Sequence, residues 1–171
     1  IIEEGDIILA ELFCSFGMLE TQHQASIAVG KLHHDFYEAA KIAEASYQKG
    51  VEILKAGITF GELVDAMKEP TNASESYWQV HPLVHSMNPY GLIGTGDRML
   101  NIPEKETYGT NQFFIPPMGH DTILREGMVF SFEQNCAIGH KLVNVGGTVV
   151  VGKDKAIELN SNTTKLMEAV C

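Results

Sequence analysis

The chain has 171 residues and 44% hydrophobic content, enough to build one substantial core. Its 22 acidic and 12 basic residues leave a formal charge of −10, which disfavours a nucleic-acid backbone or an anionic membrane surface as partner. No apolar run reaches membrane-spanning length, no basic-then-apolar leader is present, and Cys14, Cys136 and Cys171 lack CxxC spacing. A cytoplasmic protein without a disulfide frame or zinc site is therefore expected.

The chain opens without an initiator Met at the mouth of a strand, and it closes within a helix-like pattern, so a fragment is expected. Apolar runs broken by Gly17 and Gly30 predict antiparallel strands over 6–14 and 20–29. Phe36, Ala40, Ala43, Tyr47, Val51 and Leu54 fall three or four apart and make one helical face over 33–54. Thr59 and Glu62 form a capping box for a second helix running to about Lys68, with Pro70 expected to close it. Patterning fades from Thr71 to Arg125, with a short strand expected between Trp78 and His85 and a long irregular segment over 88–125. Strands are expected at 127–134, at 143–151 with an interruption at Gly146-Gly147, and at 155–159. A final helix is expected from Thr163.

The chemistry centres on Glu126-Gly127-Met128-Val129-Phe130-Ser131-Phe132-Glu133. Met128, Phe130 and Phe132 alternate with Val129, Ser131 and Glu133, the mark of a half-buried strand. A carboxylate there is costly unless something pairs with it. On the hairpin before it, alternation sets Glu20, Gln22 and Gln24 on one face and Thr21 and His23 on the other.

Gly5-Asp6-Ile7-Ile8-Leu9, Val29-Gly30, Ala56 to Glu62, Glu126 to Glu133 and Gly147 to Val151 occur in an order that resembles the pita-bread peptidases. These are methionine aminopeptidase, prolidase, Xaa-Pro aminopeptidase and the related creatinase. The resemblance implies an α+β fold, a curved antiparallel sheet backed by helices. Residues 1–171 would be a single, truncated pita-bread catalytic domain whose first helices are missing. Apolar residues left exposed on strand 6–14 would fit those missing helices, unless a homodimer partner covers them. The implied function is a hydrolase similar to Xaa-Pro dipeptidase or aminopeptidase. The alternatives are a metal-independent, creatinase-like C–N hydrolase of a small molecule, or a non-catalytic module that binds a peptide or protein.

The family's peptidases hold two metal ions with two Asp, one His and two Glu. In this chain those positions fall on Glu11, Gln22, His85, Glu133 and Gly146, with Asn88 as the alternative to His85. An amide is a poor ligand and glycine offers none, so a dinuclear site is not expected. If a single ion binds, Glu11, His85 and Glu133 would hold it. Catalysis is assigned to His85, Glu133 and Glu11, and substrate binding to His81, His23 and Gln22. Apolar neighbours of Glu11 should desolvate it and suit it to acid–base work. A small molecule or short peptide is the expected substrate.

Overall fold

A computed structural model describes residues 1–73, 77–79, 82–87, 91–95, 102–104, 107 and 118–169. The order is β1 (Ile7–Phe16), β2 (Leu19–Ala28), α1 (His34–Ile53), α2 (Phe60–Asn72), β3 (Pro82–Ser86), β4 (Ile93–Thr95), β5 (Val129–Ile138), β6 (Lys141–Val151), β7 (Ala156–Glu158) and β8 (Met167–Glu168). Strands β4-β3-β5-β6-β7 form one sheet, antiparallel at every pairing, and β1-β2-β8 form another.

The helices cover one face of the larger sheet. Their apolar stripes, including Tyr47, Leu63, Val64 and Met67, meet Phe130, Phe132, Val149 and Val151 in one core cluster. Tyr47 packs edge-on against Phe132 with ring centroids 5.6 Å apart. A second cluster joins Ala39, Ala40 and Ala43 of α1 to Cys136, Val143 and Val145. Burial pushes the Cys136 thiol up to about 12. Each helix starts on a side-chain cap. His33 accepts from the Asp35 N–H, and Thr59 and Glu62 make the expected reciprocal capping box.

The opposite face of the larger sheet meets the β1–β2 hairpin, and hydroxyl groups join the two sheets. Thr148 Oγ1 accepts from Gln22 N at 2.8 Å and donates to Gln22 O at 2.9 Å. Ser26 Oγ likewise donates to Asn144 O and accepts from Asn144 N, both at 2.8 Å. β5 is consequently buried on both faces, not on one as its alternation suggested. Ser131, Glu133 and Asn135 are all nearly inaccessible, because β2 covers them.

Several expectations need correction. Pro70 lies inside α2, where its missing donor falls in the last turn before Asn72. β6 runs unbroken through Gly146-Gly147, whose lack of side chains admits close neighbours. The segment from Thr163 is not helical. Thr163 and Thr164 spend their hydroxyls on the carbonyls of Gly146 and Ser161, and β8 pairs parallel with β2 at Ile27 and Ala28. Much of 88–125 lies outside the described residues, yet β4 falls within it. Around the hairpin, Leu9, Leu12, Phe13, Phe16, Met18 and Leu19 lie exposed.

Candidate active site

The antiparallel pairing of β1 with β2 sets Glu11 opposite Gln24 and Phe13 opposite Gln22, so Glu11, Gln22 and Gln24 share one face. On the larger sheet, β3 runs beside β5 with His85 opposite Ser131, and β5 sets Glu133 opposite Gly146 on β6. Docking the hairpin on this sheet closes a cleft of about 390 Å³ lined by Leu9, Ala10, Glu11, Gln22, Gln24, Pro82, His85, Glu133 and Asn144.

One hydrogen-bonded chain runs through the cleft. Gln22 Nε2 donates to Glu11 Oε1 at 2.5 Å and also to Glu133 Oε1. Facing two carboxylates, the amide must present nitrogen, since its oxygen would be repelled by both. Glu133 Oε1 also lies 3.0 Å from His85 Nε2 and 3.4 Å from Ser131 Oγ. The partner that a buried Glu133 requires is therefore an amide and an imidazole.

His85 Nδ1 lies 3.1 Å from Ser86 O, so both ring nitrogens face acceptors, an arrangement satisfied fully only by the doubly protonated ring. In agreement, His85 is held above the ordinary histidine value, chiefly by its hydrogen bond to Glu133, with burial opposing and the charges of Glu133 and Glu11 assisting.

Of the other sequence candidates, Glu11 belongs to this chain and the rest do not. Glu11 is exposed on β1, and the apolar residues near it in sequence are themselves largely exposed at the hairpin. His23 points away from the cleft, as β2 alternation requires, towards Gly147. Its Nδ1 is buried without a partner, and burial lowers its pKa. His81 and Asn88 lie outside the described residues. Gln24 and Asn144 also line the cleft; the hairpin alternation places Gln24 beside Gln22, and no local pattern marks Asn144.

The bridging N–H group of Gln22 occupies the space between the Glu11 and Glu133 carboxylates and directs hydrogen, not a lone pair, at both. At Gly146 even a Cβ would lie 2.1 Å from Phe132 O, so no side chain fits there without backbone movement. These residues do not fit a two-ion cage. Among the described residues, the carboxylate–imidazole group with ligand atoms all within 4.8 Å of one another is His33, His34 and Asp35, an exposed cluster at the cap of α1.

An antiparallel sheet backed by two helices, with a polar cleft on its other face, is the architecture of the pita-bread hydrolases. The chain matches metallopeptidase family M24 over residues 1–157 and belongs to that family. No curated protein matches it. Among solved structures it is similar to a dipeptidase from Pyrococcus horikoshii OT3, at 17% identity and a TM-score of 0.73, covering 98% of this chain and 42% of that one. It is also similar to prolidase from Pyrococcus furiosus, at 23% identity and a TM-score of 0.67, covering 92% and 42%. Methionine aminopeptidase from Rickettsia prowazekii aligns at 14% identity and a TM-score of 0.64, covering 92% and 65%. The chain thus spans less than half the length of the first two. Among the described residues, no helix is long and apolar enough to cross a membrane.

Proposed function

We propose that the protein is a peptidase-like hydrolase that cleaves an amide C–N bond of a short peptide or small molecule without a metal pair. The observation that carries this is the Glu11–Gln22–Glu133–His85 chain, which sets a proton-loaded imidazole and an exposed carboxylate at one cleft. Membership of a peptidase family supports the reaction class.

In this scheme a water oxygen adds to the substrate carbonyl as Glu11 takes its proton. The C–N bond then breaks as Glu11 passes that proton on to the leaving nitrogen, while the charged His85 ring, whose Nε2–H is accepted by Glu133, offsets the negative charge developing on the carbonyl oxygen. Glu133 orients the imidazole and holds it charged, and Gln22 fixes Glu133. The bonds formed and broken sum to hydrolysis.

The test is turnover of Xaa-Pro dipeptides and small N-acyl amines by metal-stripped protein. Hydrolysis should survive chelator, and His85→Ala or Glu133→Gln should each lower kcat by roughly 10²–10³-fold, the usual scale for loss of a group that stabilises transition-state charge. Turnover that appears only after divalent ion is added would overturn the metal-free scheme. Substrate binding without turnover would favour the non-catalytic peptide-binding alternative.

A further inference from the structure

A second cavity, of about 440 Å³, lies at the start of β5, and among the described residues it shares no lining residue with the cleft that holds His85 and Glu133. Two tight turns frame it. Met128 N donates to Arg125 O at 3.1 Å across Gly127, whose φ is +86°, and Thr122 N donates to Gly119 O at 2.9 Å. The first turn is tied to β6, since Gly127 N donates to Val151 O and Val151 N to Met128 O, both at 2.8 Å. Hydrogen-bonded backbone thus forms this wall before any ligand arrives. Leu92 and the half-buried Met128 and Val129 make the lining apolar, and Ser86 and Thr122 add hydroxyl groups. Arg125 completes it and is exposed. Among the described residues no ion pair uses its guanidinium.

We infer that this cavity binds a small monocarboxylate with an apolar body. The body covers Leu92, Met128 and Val129, and the carboxylate pairs with Arg125, whose planar fork of donors matches two carboxylate oxygens. One guanidinium offsets one negative charge. A phosphate or a dicarboxylate would bring a further charge into the field of a chain of formal charge −10, close to the exposed Glu126 and Asp121. The volume of about 440 Å³ lies within the range of small-molecule pockets, about 300–1,000 Å³, which are likewise mostly apolar with a few placed polar groups. Val129 and Glu133 both lie on β5, four residues and so roughly 13 Å apart along the strand. The site is therefore separate from the cleft and does not depend on the hydrolase reading.

Binding is tested without turnover, by calorimetry and amide chemical shifts on the purified protein. The probes are hexanoate, hexanamide, acetate and inorganic phosphate. Hexanoate should bind, with shifts at Leu92, Met128 and Val129. Hexanamide keeps the apolar body but not the charge, and it should bind at least about tenfold more weakly, the scale of a lost charge-assisted hydrogen bond. Acetate keeps the charge but not the body and should be weaker by a similar factor, as should phosphate. Arg125→Gln should weaken hexanoate about tenfold and leave hexanamide unchanged. If that variant misfolds, the comparison of probes on the unaltered protein still decides. Absence of hexanoate binding, equal binding of hexanamide, tighter binding of phosphate, or hexanoate shifts confined to Gln22 and Glu133 in the cleft would each overturn the inference. Loss of hydrolysis with hexanoate binding intact would remove the proposed reaction and leave this site standing.

Discussion

His85 and His23 have surroundings that drive them in opposite directions. His85 gains a carboxylate and a carbonyl for its two N–H groups, so its folded pKa stands above the ordinary value of 6.5. The stability it contributes is therefore fully present below the unfolded value and is lost as pH rises through the folded one. His23 gains only burial, which depresses its pKa below the same 6.5. Its share of stability is present above the unfolded value and is lost as pH falls towards the folded one. Imidazole NMR titration should show His85 releasing its proton at higher pH than His23, and Glu133→Gln should bring the His85 midpoint down. An unchanged midpoint in that variant would mean that Glu133 does not hold the ring charged. Activity under the proposed scheme should fall on the alkaline side as His85 deprotonates.

At the level of elements, the pairing of β5 with β6 decides what the site can contain. The register places Gly146 opposite Glu133, at the position where the family resemblance calls for another carboxylate. The Phe132 carbonyl reaches into the space a Cβ would need, and Thr163 donates to the Gly146 carbonyl from beyond the strand. Gly146→Ala should therefore destabilise the fold by about 1–3 kcal/mol in urea denaturation, the usual cost of overpacking. A change within about 0.5 kcal/mol, the scale of an unconstrained surface exchange, would show the strands to be less tightly apposed. Phe132→Ala, on the helix side of the same strand, should cost about 3–5 kcal/mol by opening a cavity beneath Tyr47. Here the sequence was only partly legible. The Met128-Phe130-Phe132 alternation showed which face meets the helices, and the capping box located the start of α2. It could not show that Ser131 and Glu133 would be covered too, because that depends on a strand more than a hundred residues earlier. Nor could the Thr163 region be identified from local pattern, since its hydroxyls bond to backbone carbonyls and β8 follows β2 through pairings distant in sequence.

For the molecule as a whole, the cleft exists only because two sheets are held together, and few groups hold them at the site. Thr148 Oγ1 serves both the N–H and the carbonyl of Gln22, the residue whose side chain bridges Glu11 and Glu133. One hydroxyl on the larger sheet thus sets the depth of the amide on the smaller one. The hairpin beyond it is weakly anchored, with Phe16, Met18 and Leu19 largely exposed. Thr148→Val keeps the shape but leaves a buried donor and a buried acceptor of Gln22 unpaired, each costing about 1–3 kcal/mol. Hydrogen exchange should then accelerate at Gln22 and along β2, while the amides that pair β5 with β6 keep their protection. His85 should titrate differently in the same variant, because Glu133 loses the amide that positions it. Thr148→Ser retains the hydroxyl and should restore both properties. If Thr148→Val leaves exchange at Gln22 unchanged, the sheets are held by other contacts, and the hydroxyl does not control the geometry of the cleft.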